Sequence, residues 1–137
     1  MITRREFAVG AAGLAMASTA KSYARIAGAN ERLNFAVIGL NGRAYAHLSS
    51  LKANQADANI THVCDVETNI LNKFAAAAKQ LGFEPSTEKD FRKILELKDV
   101  DAITIATPDH WHTPMAILGL QAGKHVYVEK PCSHNPA

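Results

Sequence analysis

Short apolar runs alternate with amphipathic segments from residue 33 onwards, and this alternation predicts strands and helices in turn. Residues 35–38 are continuously apolar, as is typical of a strand covered on both faces, and 102–106 is the next clearest buried strand. Further strands are predicted at 60–64 and 126–128, with a short extended piece around 83–86. There is no internal repeat.

Four helices are expected between these strands. The first has a buried stripe at i, i+3, i+4 and i+7, formed by Ala44, His47, Leu48 and Leu51. The second begins at Thr68 as N-cap and ends at Gly82, with Ile70, Leu71, Phe74, Ala75, Ala78 and Leu81 inside. The third follows a capping arrangement at 87–90 and buries Phe91, Ile94 and Leu95. The fourth has Pro114 in its first turn and buries Met115, Ile117, Leu118 and Leu120 before Gly123.

Strand–helix alternation of this kind indicates βαβ units around a parallel sheet, the α/β class of the Rossmann-type doubly wound fold. A dinucleotide-binding domain with strand order 3-2-1-4-5-6 needs one more helix and strand after 126–128. We therefore expect 33–137 to be an incomplete domain, truncated before its last helix and strand, with 126–128 as an apolar edge strand.

The N-terminal segment has the pattern of an export signal. Arg4 and Arg5 precede an uncharged run over 7–20 and a small-residue exit ending at Ala24. That run is shorter than the ~20 apolar residues a membrane span needs. The sequence predicts a twin-arginine signal at 1–24, a linker at 25–32, passage through the twin-arginine export machinery and a periplasmic or cell-surface location.

Charge gives no reason to expect a nucleic-acid or anionic-membrane partner. Of the 137 residues, 15 are basic and 13 acidic. Cleavage after Ala24 removes three basic residues and one acidic residue, which leaves 12 of each sign and a formally neutral chain. Cys64 and Cys132 follow strands that are not neighbours, so no disulfide is expected between them.

Residues 39–44, Gly39-Leu40-Asn41-Gly42-Arg43-Ala44, follow the first strand and open the first helix. Backbone amides and the helix dipole can hold a pyrophosphate at such a turn. Asn41 stands where the fingerprint has its middle glycine, and Gly42 can supply the close approach instead. An ordinary βα turn is the alternative interpretation.

Asp65 ends the second strand, where a carboxylate can accept both hydroxyls of an adenosine ribose and repel a 2′-phosphate. This favours NAD over NADP. The alternative role is to cap the following turn.

Residues 107–114 leave the fourth predicted strand at the same edge and bring Trp111 and two imidazoles there. A metal site is disfavoured, because His110 and His112 are two residues apart on a helix and have no Cys or carboxylate partner at metal-site spacing. We expect His112 to form hydrogen bonds near a cofactor and His47 to be a hydrogen-bonded core histidine.

Lys130 lies at the carboxyl end of the last strand, within His125-Val-Tyr-Val-Glu-Lys-Pro131. Ligands of open α/β sheets bind at such strand ends, where an amine can meet a substrate hydroxyl or carbonyl beside a nicotinamide. The alternative is a solvated lysine that ends an edge strand.

Three segments together resemble a known family: 106–117 with Thr-Pro-Asp-His-Trp-His-Thr-Pro, 122–131 with Ala-Gly-Lys-His-Val-Tyr-Val-Glu-Lys-Pro, and Asp101-Ala-Ile at the fourth strand. They are similar to the nucleotide-binding half of the glucose-fructose oxidoreductase, inositol dehydrogenase and rhizopine-catabolism group, Gfo/Idh/MocA, over roughly residues 33–136.

The resemblance implies a tightly held NAD(P), with Lys130 beside the nicotinamide as the proton-transfer group. The implied cofactor-lining residues are Gly39, Leu40, Asn41, Gly42, Arg43, Ala44, Asp65, Thr107, Pro108, His112, Glu129 and Lys130. Asn41 departs from the family's pattern, which commonly has a glycine at this position.

The resemblance also implies that a C-terminal α+β domain, absent here, carries the substrate pocket. The full-length protein is then an exported oxidoreductase of a sugar, polyol or related derivative, expected to be a homo-oligomer, and the fragment alone is expected to be inactive. Two alternatives stay open: an NAD-dependent glycoside-cleaving relative, a subgroup in which the lysine is commonly replaced, and a non-catalytic NAD-binding module.

Overall fold

The computed structural model describes residues 32–133, which form one five-stranded parallel sheet. The strands are β1 (Leu33–Ile38), β2 (Ala58–Cys64), β3 (Ser86–Glu88), β4 (Ala102–Ile105) and β5 (His125–Val128). Their order across the sheet is β3-β2-β1-β4-β5. This is the start of the 3-2-1-4-5-6 order, so the Rossmann-type prediction is confirmed.

Four helices connect the strands: α1 (Ala44–Ala53), α2 (Thr68–Gln80), α3 (Phe91–Glu96) and α4 (Asp109–Gln121). The side chains of β1 alternate between two hydrophobic cores. Val37 packs with α1 and α2, whereas Ala36 and Ile38 pack with Ile94 of α3 and Met115 of α4. All four residues of β4 and the last three of β1 are buried, which explains why these segments are largely apolar.

The stripe predicted for α1 is buried as expected, and the helix starts elsewhere need small corrections. The N-cap of α2 is Glu67, whose side chain accepts the amide of Asn69, and not Thr68. The N-cap of α3 is Asp90, whose side chain accepts the amide of Arg92. Thr87 and Glu88, which also belong to the predicted capping arrangement, lie within β3. Pro114 lies beyond the first turn of α4, since that helix already begins at Asp109.

The apolar side of α4 was predicted wrongly. Met115 is buried, but Ile117, Leu118 and Leu120 are exposed, and the positions that face the sheet are His112, Met115 and Gly119. Tyr127 of β5 is exposed as well. β5 is an edge strand of the sheet in residues 32–133.

The predicted export signal at 1–24 and most of the linker lie outside the described residues. Within 32–133, no helix is long and apolar enough to cross a membrane. Cys64 is buried, Cys132 is exposed, and both are free thiols.

Candidate functional site

The carboxyl ends of four parallel strands bring the predicted site residues to one edge of the sheet. Gly39 follows β1, Asp65 follows β2, Thr107 follows β4 and Lys130 follows β5. Asp65 and Lys130 are three strand spacings apart, which corresponds to about 14 Å along the edge. The lysine and the carboxylate therefore lie on the same rim.

The turn after β1 requires glycine at its first position. Gly39 has φ +78°, and a Cβ there would lie 2.6 Å from the backbone nitrogen of Thr107. The turn and the segment after β4 consequently approach each other more closely than any side chain would allow.

The rest of the turn accommodates Asn41 without strain, because the adjacent Gly42 takes the positive φ. The Asn41 side-chain oxygen accepts the Gly42 amide at 3.0 Å. The backbone amides of Asn41 and Arg43 make no hydrogen bond within residues 32–133. They are the donors at the start of α1 that remain available to an anion.

Asp65 holds this turn in place. Its Oδ2 accepts the backbone amide of Leu40 at 2.8 Å, and its Oδ1 accepts the amide of Glu67 at 3.0 Å. The carboxylate thus caps the turn after β2, the alternative considered for it, and also joins that turn to the one after β1. Each carboxylate oxygen can accept more than one hydrogen bond, so both retain capacity for ligand hydroxyls.

A cavity of about 580 Å³ opens at this edge, between the ends of β1, β2 and β4. Gly39, Asp65, Thr107 and Pro108 line it, together with apolar side chains that include Val66, Phe91, Trp111, Met115 and Leu118. The hydroxyl oxygen of Thr107 is buried and has no hydrogen-bond partner within the described residues. An apolar cavity with a few convergent polar groups is typical of a small-molecule site.

His112 joins the segments that follow β4 and β5. It is 2 % exposed; its Nδ1 lies 2.7 Å from the carbonyl oxygen of Pro131 and its Nε2 lies 2.8 Å from that of Thr107. The imidazole thereby fixes the main chain just after Lys130.

Glu129 points toward α1. Its Oε1 accepts hydrogen bonds from Arg43 Nε and His47 Nε2, each at 2.7 Å. These bonds, the one from His47 foremost, lower the pKa of Glu129 to about 2. Neither Glu129 nor the exposed Lys130 lines the 580 Å³ cavity, so the structure does not bring these two predicted residues to it.

The sequence did not assign His47 to the site. The expected core histidine is buried, but its Nδ1 has no partner in the described part of the chain, and its one hydrogen bond goes to Glu129. The four-residue spacing from Arg43 along α1, which places both side chains on one face, was the available signal.

No group of three or more His, Cys, Asp or Glu side chains in residues 32–133 could hold a metal ion.

Residues 33–137 match the Gfo/Idh/MocA oxidoreductase family, described as having an NAD-binding Rossmann fold. The chain belongs to this family. An NAD-binding, Rossmann-type oxidoreductase domain is therefore established for the part of the chain that carries the site.

Curated relatives from this family are much longer. A glycosyl hydrolase family 109 protein of Saccharopolyspora erythraea is 40 % identical over 108 residues, which cover 75 % of this chain and 23 % of the relative. The levoglucosan dehydrogenase of Pseudarthrobacter phenanthrenivorans is 47 % identical over 57 residues, or 42 % of this chain and 14 % of that enzyme. This chain thus spans about a quarter or less of their length.

Solved structures give the same fold. The WlbA dehydrogenase of Bordetella pertussis, determined with NADH and UDP-GlcNAcA, superimposes with a TM-score of 0.70 at 25 % identity. The match covers 77 % of this chain and 30 % of that protein.

Proposed function

We propose that the site belongs to an NAD-dependent dehydrogenase of a sugar, polyol or related derivative, in which Lys130 transfers the proton of the substrate hydroxyl. The observation that carries this proposal is the common rim: the glycine turn, Asp65 and Lys130 follow three strands of one parallel sheet. The dehydrogenases with similar sequence or structure act on, or were solved with, sugar derivatives.

The residues present fit a dinucleotide. Gly39 leaves room for a close approach, and the free amides of Asn41 and Arg43 suit pyrophosphate oxygens. The buried Thr107 hydroxyl lacks a partner, which a polar group of the cofactor would provide. The same cleft would also be shaped by Leu40, Gly42, Ala44 and Pro108. Glu129 and His112 would stabilise it through their hydrogen bonds to Arg43 and His47 and to the main chain at Thr107 and Pro131.

Asp65 is proposed to accept the adenosine-ribose hydroxyls through the lone pairs that Leu40 and Glu67 leave open. Its charge would repel a 2′-phosphate, and we therefore propose NAD as the preferred cofactor.

Lys130 would act on the substrate. A bound nicotinamide supplies the hydride acceptor or donor. Lys130 would accept the proton of the substrate hydroxyl as that hydroxyl is oxidised to a carbonyl, and would return the proton in the reverse direction. Its exposure leaves the amine accessible to a substrate bound by further parts of the full-length protein.

The first experiment measures cofactor binding by this chain. Trp111 is the only tryptophan and lines the cavity, so excitation energy transfer from it to NADH reports binding directly. Absence of saturable transfer would contradict the proposal.

The second experiment measures turnover by the full-length protein with a panel of sugars and polyols. NAD reduction should fall on the order of 10²-fold in Lys130→Ala. It should persist in Lys98→Ala, which removes an exposed lysine before β4, at the opposite edge. Activity that survives unchanged in Lys130→Ala would refute the assigned role.

A glycoside-cleaving activity is the second candidate, because the Saccharopolyspora relative is described as a glycosyl hydrolase family 109 protein. Lys130 argues against it, since that subgroup commonly replaces this lysine. Chromogenic glycosides in the same assay decide the matter: release of the chromophore without net NAD reduction would favour this candidate.

We also propose export through the twin-arginine route, on the strength of Arg4, Arg5 and the uncharged run that follows. Residues 1–32 fused to a folded fluorescent reporter should deliver it to the periplasm. Replacing both arginines with lysine should retain the reporter in the cytoplasm, and unchanged delivery would exclude this route.

A further inference from the structure

The main chain around Lys130 is anchored on both sides. Before it, Glu129 donates its amide to the carbonyl of Ile105 at 3.0 Å, while its carboxylate contacts α1. After it, the carbonyl of Pro131 contacts His112 of α4. The carbonyl of Cys132 also accepts a hydrogen bond from the Thr113 hydroxyl, whereas Lys130 itself is exposed.

The anchor on the α1 side depends on a buried charge. Glu129 and His47 are each 8 % exposed, and the Glu129 oxygen that meets His47 also meets Arg43. Because Glu129 is ionised, Nε2 of His47 must be the donor. A buried carboxylate that lost this donor would turn toward water or rearrange, since an uncompensated charge is costly there.

His47 has little freedom to move within this contact. Its ring packs edge-on against Tyr127, with ring centroids 5.3 Å apart and planes at 90°. Tyr127 lies in β5, three residues before Lys130, and Glu129 follows the end of that strand. The imidazole of His47 therefore contacts β5 through the Tyr127 ring and the residue after β5 through the Glu129 carboxylate.

The second donor to Glu129 connects this anchor to the glycine turn. Arg43 lies immediately before α1, at the end of the glycine turn, and its Nε donates to Glu129. Its side chain is 61 % exposed.

From these contacts we propose that His47 is a positioning residue for Lys130, acting through Glu129, and that Arg43 links the same carboxylate to the dinucleotide turn. This inference rests on the proposed function, in which Lys130 lies beside the nicotinamide. His47 does not touch the substrate or the cofactor; it sets the strand end that carries the reacting amine.

The first test compares variants of the full-length protein at saturating NAD. In His47→Leu, kcat should fall on the order of 10²-fold, as expected when a reacting group is displaced by about 1 Å, with the Kd for NADH changed less than about threefold. In His47→Gln, whose amide can still donate to Glu129, most of the lost kcat should return. The control His125→Gln alters an exposed histidine at the other end of β5 and should match wild type.

A second measurement follows the Lys130 amine itself. Acylation of Lys130 by acetic anhydride is quantified by peptide mass spectrometry, with and without NADH. Bound NADH should slow acylation about tenfold or more in wild type and His47→Gln, and less than about threefold in His47→Leu. Should His47→Leu not fold, His47→Asn, too short to reach Glu129, replaces it.

The outcomes separate the two hypotheses. The positioning role alone is overturned if NADH protects Lys130 equally in wild type and in His47→Leu. It is also overturned if His47→Gln does not restore the lost kcat. If NADH binds wild type without protecting Lys130, the placement of the lysine beside the nicotinamide is wrong, and the inference built on it is rejected as well.

Discussion

The Asp65 carboxylate accepts the backbone amide of Leu40 at 2.8 Å, across 25 residues of sequence. One side chain thus joins the turn after β1 to the turn after β2. The residue proposed to select the cofactor also shapes the loop proposed to hold its pyrophosphate, so a substitution there should affect both.

We expect Asp65→Ala to weaken NADH binding about tenfold or more, since a hydrogen bond to a charged group contributes about 1.5–3 kcal/mol. The affinity for NADPH should fall less, because Asp65→Ala also removes the repulsion between the carboxylate and the 2′-phosphate. Energy transfer from Trp111 gives both dissociation constants. The control Asp57→Ala removes an exposed carboxylate at the amino edge of β2. An unchanged NADH to NADPH ratio would discredit the ribose contact.

Gly39→Ala should destabilise the fold by about 3 kcal/mol or more, because a positive φ and a collision with the Thr107 backbone combine. Gly123→Ala separates the two causes. Gly123 has φ +76°, but a Cβ at this position would meet nothing within 4 Å, so its substitution should cost only about 1–2 kcal/mol. Urea unfolding measures the free energy of unfolding of both variants. Equal losses would contradict the close approach of Gly39 to the Thr107 backbone.

The stability of the domain should depend on Glu129 in acid. Its pKa is lowered to about 2, first by the hydrogen bond from His47 and then by that from Arg43. A carboxyl whose pKa is lower in the folded than in the unfolded chain stabilises the fold above its unfolded value of 4.5, and this contribution is lost as the pH falls toward 2.

The free energy of unfolding should therefore fall between about pH 5 and pH 2 more steeply in wild type than in Glu129→Gln. Urea titrations across this range measure the slope. Glu96→Gln, which changes an exposed carboxyl of α3, should retain the wild-type slope. Identical slopes for wild type and Glu129→Gln would show that the contact with His47 and Arg43 does not persist in solution.

The two cysteines should differ sharply in reactivity. Burial, supported by the nearby carboxylates of Glu88, Asp65 and Asp90, raises the pKa of Cys64 to about 12. Cys132 is exposed. A maleimide at pH 8 should therefore modify one thiol per folded chain and two in urea, and Cys132→Ser should abolish the folded-state reaction. Rapid modification of Cys64 in the native protein would show that the cleft beside it opens.

Local patterns predicted the central strands well, because a strand covered on both faces is largely apolar. The short extended piece expected around 83–86 lies instead at Ser86–Glu88, where no residue is buried. The buried stripe of α1 could be found for a similar reason, since one face of that helix meets the sheet. On α4 the same reasoning failed. Leu118 and Leu120 have the hydrophobicity of core residues yet are exposed, because strand order and helix rotation decide which apolar side chains meet a partner.

By itself the sequence determined the fold class, the glycine turn, and the placement of Asp65 and Lys130 after parallel strands, since parallel strands put their carboxyl ends on one edge. Tertiary structure alone decided the partners of these residues. His47 and Glu129 are 82 positions apart, and His112 and Pro131 come from different segments. Such pairs depend on which strands are neighbours and how each helix packs, and no periodicity in the chain encodes that geometry.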